Sequence, residues 1–197
     1  MKTVNICIFA SGSGSNAENI VKHFALHNKY KVQLILSNKN DAYVLTRAQM
    51  LGIDSVVFSK NDLEHNNFVD DLLKRYKIDV IILAGFLLKV PQRLTEKYKG
   101  RILNIHPALL PSYGGKGMYG MNVHNAVISA GEKESGITIH IVDEKYDNGS
   151  IICQAKCKIN HDDTPETLAE KIHSLEAEYF PVTIERFLDT IEIVEES

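Results

Sequence analysis

The chain has 197 residues, 44% hydrophobic and 24% charged, with a formal net charge of -3 at pH 7, as befits an ordinary globular domain with one core. No block of Lys and Arg is present, which argues against a nucleic-acid footprint, and any bound phosphate is expected to belong to a small molecule. The opening Met1-Lys2-Thr3-Val4-Asn5-Ile6 lacks the apolar run of a signal peptide and no later stretch reaches spanning length, which points to the cytoplasm and away from membranes.

Val4 to Phe9 is a short apolar run that leads into Ala10-Ser11-Gly12-Ser13-Gly14-Ser15-Asn16, after which Ala17, Ile20, Val21 and Phe24 recur at helical spacing. Strand, small-residue loop and helix in that order bring backbone N–H groups to the positive end of a helix, and glycine lets an anion approach unobstructed. Gly12-x-Gly14-x-x-Ala17 also fits the dinucleotide fingerprint. That reading requires an acid after the second strand to hold a ribose hydroxyl, whereas Lys31 to Leu36 ends in Ser37-Asn38. A phosphate monoester is preferred to a nicotinamide dinucleotide; a tight turn that binds nothing is the third reading. His23 and His27 stand one helical turn apart with no third ligand in view, so no metal is expected there.

Tyr43 to Leu51 reads as a helix stopped by Gly52, Asp54 to Phe58 as a strand, and Asp62 to Tyr76 as one longer helix with Phe68, Leu72 and Leu73 inward. Asp79 to Gly85 is nearly all apolar, as a strand covered on both faces should be. Strands alternating with helices predict an α/β fold, a doubly wound and mostly parallel sheet with helices on both faces. Gly85-Phe86-Leu87-Leu88-Lys89-Val90-Pro91 is unusually apolar for a loop, and is either a core turn or a lip over a flat organic ring.

In Arg101-Ile102-Leu103-Asn104-Ile105-His106-Pro107, strand alternation sends Leu103 and Ile105 to one face and Asn104 and His106 to the other. Pro107 cannot continue a ladder, so both polar groups fall at the carboxyl end of the strand, where open α/β sheets bind ligands. An amide donor beside a group that exchanges protons near neutral pH suits a carbonyl oxygen that becomes an oxyanion. A histidine satisfied by backbone at a strand end is the plainer alternative.

From Pro107 to Gly120 the chain is rich in Pro and Gly, and a loop of this length is expected to move over a ligand. Met121 to Ala130 reads as a helix. Gly136 to Val142 alternates, with Thr138 and His140 sharing a face, and Ile151 to Ile159 forms a second alternating strand. Asn148-Gly149 signals a hairpin, so the carboxyl-terminal part of the sheet is expected to be antiparallel. Of Asp143, Glu144 and Asp147, two read as solvated rim, and one beside His106 would favour a charged imidazole and relay a proton. Thr164 caps a last helix with Pro165 in its first turn, running to about Leu188 and broken or bent near Pro181, before an acidic end at 192–197 that is expected to fray. The cysteines, Cys7, Cys153 and Cys157, show no CxxC spacing and read as packing residues, and no GxSxG elbow signals covalent acyl transfer.

Ser11-Gly12-Ser13-Gly14-Ser15-Asn16, Leu83-Ala84-Gly85-Phe86, Asn104-Ile105-His106-Pro107-Ala108-Leu109-Leu110-Pro111, and Thr138 with His140 and Asp147 together resemble the folate-dependent formyltransferases, over nearly the whole chain. The resemblance implies transfer of the formyl group of 10-formyltetrahydrofolate, a cosubstrate, to the amine of 5-phosphoribosylglycinamide in purine synthesis, by direct attack through a tetrahedral intermediate and without a metal. It implies that Gly14, Ser15 and Asn16 hold the substrate phosphate, that Leu87, Leu88, Lys89 and Val90 line the pterin pocket, and that Asn104 and His106 contact the formyl group. Asp147 would tune His106, Glu176 or its neighbour Glu178 would approach the glycinamide, and Thr138 and His140 would shape the site from behind.

The expected organisation is a single domain, 1–197, with a phosphate-binding half (1–100) and a catalytic and folate-binding half (101–190), acting as a monomer or homodimer. The added domains of the methionyl-tRNA and folate-hydrolysing relatives are not expected in this chain. Related sequences commonly carry two glycines and a proline where this chain has Asn148-Gly149-Ser150, and the loop from Gly114 to Gly120 differs from theirs. A family arginine near the folate tail has no match between Ser59 and Asp70, Lys60 being the candidate substitute.

Overall fold

Alternation along the first strand, β1 (Val4–Phe9), sets the architecture: Ile6 and Ile8 enter one hydrophobic layer while Cys7 and Phe9 enter another, all four essentially inaccessible to solvent. A strand apolar on both sides needs helices over both faces. The computed structural model describes residues 3–144 and 147–191. After β1 come α1 (Ser15–Phe24), β2 (Tyr30–Ser37), α2 (Tyr43–Met50), β3 (Asp54–Val57), α3 (Lys60–Glu64), α4 (Phe68–Arg75), β4 (Val80–Leu83) and α5 (Gln92–Lys97). They are followed by β5 (Ile102–His106), α6 (Met121–Ser129), β6 (Glu134–Ile141), β7 (Ile151–Lys158) and α7 (Pro165–Thr190).

Among the described residues the strands form one seven-stranded sheet in the order β3-β2-β1-β4-β5-β6-β7. It is parallel from β3 to β5, with β6 and β7 added antiparallel. One face carries Ile20 and Phe24 of α1, Val44 of α2, Val123 of α6 and the apolar stripe of α7; the other carries Leu63 of α3, Val69 and Leu73 of α4 and Leu94 of α5. The chain reverses direction across the sheet between β1 and β4, and the loops leaving those two strands open a crevice at their carboxyl ends. No helix of the described residues is long and apolar enough to cross a membrane.

Three expectations need correction. The single helix over 62–76 is two. Ser59 and Asp62 form a capping box that starts α3, and the side chain of Asn66 accepts the N–H of Phe68 at 2.9 Å where α4 begins. Phe68 is consequently exposed and Val69, with Leu73, faces the core. Asn148-Gly149 is not a two-residue turn, because β6 and β7 are joined by residues 142–150, of which 145 and 146 lie outside the described residues. Gly149 is nonetheless required there, since a Cβ would lie 1.7 Å from the carbonyl oxygen of Ile141.

Finally, α7 runs unbroken through Pro181. A proline deprives the carbonyl four residues earlier of its partner, and that carbonyl, of Ala177, instead accepts the side-chain amide of Asn19 in α1 at 2.6 Å. Thr164 caps α7 as expected, in a reciprocal pair with Thr167. The expected fraying at 192–197 concerns residues outside the described ones.

Candidate active site

The crevice is a cavity of about 710 Å³. Gly14, Ser15, Asn16, Leu87, Leu88, Lys89, Val90, Asn104, His106, His140, Asp147 and Glu176 all line it. Thr138 does not: it is fully buried behind the wall. Lys60 stands apart, at the start of α3, where its ammonium lies 3.6 Å from Glu64.

At one end of the cavity, Gly14 sits at φ 77° as the N-cap of α1, and no side chain caps the helix, so its first-turn N–H groups remain open to an anion. Only glycine fits, because a Cβ would lie 2.5 Å from Val44 Cγ2 and 2.8 Å from Val44 Cα. The loop is held from outside: Arg47 Nε donates to the carbonyl of Ser13 at 2.9 Å, and the Arg47 guanidinium pairs with Glu18. Asn16 donates from its amide to Glu176 at 2.9 Å. Burial pushes the Glu176 carboxyl above the usual range, with the Asn16 bond and nearby His173 working against it.

Strand β5 places Asn104 and His106 on the cavity face opposite β6, in the register Asn104↔His140 and His106↔Thr138. Each partner then does a separate task. Thr138 donates to the carbonyl of Ala108 at 2.7 Å and accepts the N–H of Leu110 at 2.9 Å, fixing the loop that leaves β5. His140 Nδ1 lies 3.1 Å from the carbonyl of Ile141, which can only accept, so Nδ1 carries the proton and Nε2 accepts from the Asn104 amide at 3.1 Å. Burial holds His140 below its ordinary range despite that backbone bond and Asp147, consistent with the neutral ring the geometry demands. One N–H of Asn104 is thereby committed and the other is left for a ligand.

The same logic assigns the nitrogens of His106. Its Nε2 is 2.8 Å from the carbonyl of Tyr113 and must donate, so Nδ1 is the nitrogen left to the site. Asp147 Oδ2 lies 3.8 Å from that Nδ1, Asp147 Oδ1 lies 3.7 Å from His140 Nε2, and the carboxylate accepts the N–H of Gly115 at 2.8 Å. Asp147 is at φ 50°. Of the other two loop acids, Glu144 is exposed, while Asp143 reaches the cavity and accepts from Asn148 at 3.0 Å.

Between the two ends lies the apolar segment after β4, and both readings of it hold in part. Phe86, Leu88 and Val90 pack against the core on one side of the sheet, while Leu87 is 40% exposed and joins them in lining the cavity. Ser11 ties this segment to the phosphate loop: its hydroxyl accepts the N–H of Leu87 at 3.0 Å and donates to Asn38 at 2.6 Å.

Sequence reasoning missed His124, His173 and Lys39, which line the cavity; the stretch from Gly115 to Gly120, part of the loop expected to move over a ligand, lines it too. His124 is buried, its Nδ1 has no hydrogen-bond partner among the described residues, and burial followed by His173 and His106 lowers its basicity. Its position in α6 matches an apolar helical stripe, which is why it gave no signal. Taken together, the cavity offers an anion cradle, an apolar shelf, and on the same wall an amide, an imidazole and a carboxylate, groups that suit acyl transfer to an amine.

A sequence profile described as formyl transferase matches residues 4–184. The chain belongs to that family. It is 35% identical over 191 residues to a phosphoribosylglycinamide formyltransferase of Haemophilus influenzae, covering 93% of this chain and 87% of that protein. The chloroplastic phosphoribosylglycinamide formyltransferase of Arabidopsis thaliana is 40% identical over 173 residues, or 85% of this chain, which spans 59% of the plant protein's length. The crystal structure of the phosphoribosylglycinamide formyltransferase of Bacillus halodurans superposes with a TM-score of 0.85 at 35% identity, covering 95% of this chain and 97% of that one.

Proposed function

We propose that the chain transfers the formyl group of 10-formyltetrahydrofolate to the amine of 5-phosphoribosylglycinamide, in the synthesis of purines. The observation that carries this reading is the convergence of Asn104, His106 and Asp147 on the same cavity as the Gly14 cradle and the Leu87 to Val90 shelf. The cradle of Gly14, Ser15 and Asn16 takes the phosphate of the nucleotide, the shelf takes the pterin ring, and Glu176, held by the Asn16 amide, receives the glycinamide chain. The neutral amine attacks the formyl carbon. The free N–H of Asn104 and a protonated His106 Nδ1 hold the oxyanion as the tetrahedral intermediate forms. The amine gives up a proton to Asp147, directly or through water, and His106 donates one to the departing folate nitrogen as the carbonyl re-forms.

In the same reading residues 1–197 act as one domain, its first hundred residues anchoring the nucleotide and residues 101–190 carrying the chemistry and the folate, in the cytoplasm and as a monomer or homodimer. No nucleic acid, membrane or metal takes part in the chemistry.

The test mixes the protein with 10-formyl-5,8-dideazafolate and glycinamide ribonucleotide and follows the deformylated product by absorbance. Product is expected only with both substrates present. His106→Ala is expected to lose about 10²–10⁴ in turnover, and turnover within threefold of wild type refutes the assignment.

A further inference from the structure

His23 lies in the last turn of α1, His27 follows the helix end, and the fold brings up the third ligand that the sequence did not reveal. This is Glu185, on α7. His23 Nε2 is 2.7 Å from Glu185 Oε2 and His27 Nε2 is 3.7 Å from Glu185 Oε1. One ligand atom from each of the three residues lies within 4.8 Å of the others. An ion bound tetrahedrally to nitrogen and oxygen at about 2.0–2.1 Å sets its ligands roughly 3.3 Å apart, between the two measured separations. Small side-chain rotations therefore convert the present contacts into a coordination shell.

We propose that His23, His27 and Glu185 bind one divalent transition-metal ion, such as Zn²⁺. Two imidazoles with a single carboxylate suit such an ion, whereas Mg²⁺ and Ca²⁺ prefer shells of oxygen. Packing pre-sets the rings. They stack on each other at 5.7 Å and 22°, and both meet the ring of Phe24 edge to face, at 4.9 and 5.4 Å. The nearby carboxylate of Asp189 is already engaged, accepting from Tyr30 at 2.5 Å with Lys29 at 3.6 Å. The three side chains are partly exposed, so an ion can enter from solvent and keep a water in its fourth position. The site is separate from the cavity, since none of the three ligands lines it. It clamps the same two helices that meet at Asn16 and Glu176, seven residues further along α1 and nine along α7.

The test titrates chelator-treated full chain with Zn²⁺ by calorimetry, and with Co²⁺ by visible absorption. One ion per chain is expected, with tetrahedral Co²⁺ bands and a melting temperature raised by roughly 5–10 °C at a hundredfold excess over Kd. His27→Ala and Glu185→Gln should each weaken binding by at least the roughly 10–100-fold that loss of an outer-shell partner already costs. Saturable binding that is absent at tenfold excess of Zn²⁺, or unchanged in both variants, overturns the proposal. Electron paramagnetic resonance of Cu²⁺ bound to the unaltered chain gives a result independent of variant folding: coupling to two imidazole nitrogens supports the site, and any other number refutes it.

Discussion

Replacing Asp147 by Asn removes one negative charge and almost no volume, and the new amide oxygen can still accept the N–H of Gly115 that the carboxylate holds at 2.8 Å. What changes is the field at His106 Nδ1, 3.8 Å away. At that distance a charge facing an imidazolium contributes about 1 kcal/mol in a water-like medium and about 4 kcal/mol at the effective dielectric of a protein surface. The side chains are only 13% and 4% exposed, which favours the upper part of that span, about 2–4 kcal/mol. If the imidazolium forms on the way to the transition state, Asp147→Asn should lower kcat by about 30- to 1,000-fold while KM for either substrate changes little. The measurement is steady-state turnover with both substrates saturating, on protein whose circular dichroism matches wild type. A kcat within threefold of wild type would mean that this carboxylate does not act on His106.

Two further outcomes follow from the cradle and its neighbour. Gly14→Ala forces a Cβ to within 2.5 Å of Val44 at a positive φ; a cost of about 2 kcal/mol, or roughly 4–8 °C in melting temperature, is expected, with KM rising for the nucleotide and not for the folate. Equal effects on both would argue against an anion site there. Glu176 titrates above the ordinary carboxylate range in the folded chain because it is buried, so as pH rises past that range the native state keeps a proton the unfolded state has lost, and stability falls. Thermal melts across pH should show Glu176→Gln gaining on wild type as pH rises through the raised value. Parallel curves would contradict the burial argument. His124 and His140, both lowered by burial, have the opposite slope at and below the ordinary histidine range, losing stability as pH falls, and contribute equally to both proteins.

The parts of the site that a strand displays locally are legible in the order of residues alone. A period of two puts Asn104 beside His106, and a proline marks where the strand stops; no tertiary information is needed. The opposing register also follows in outline, since Thr138 and His140 alternate in the same way. What the sequence hides are relations across long separations. Glu185 is 162 residues from His23, so the pair of histidines reads as ligands lacking a third. His124 sits on a helix whose apolar periodicity absorbs a buried histidine without trace, and His173 is an exposed position of α7 that no local pattern marks. Apolar spacing also outweighs a visible Ser59-x-x-Asp62 cap, which makes one helix of two. Pro181 looks like a break because the amide that compensates its missing donor comes from Asn19, with 158 residues between Asn19 and the Ala177 carbonyl it serves.

The bond between Asn16 and Glu176 spans 160 residues, and this governs when the molecule becomes competent as it is made. A ribosome adding about 5–20 residues per second needs roughly 8–32 s to travel that far. Throughout that interval the apolar stripe of Ile20, Val21 and Phe24 lacks the helix that will roof it. Completion of the cradle thus waits on α7, and the nascent chain must keep a greasy flank out of trouble until then.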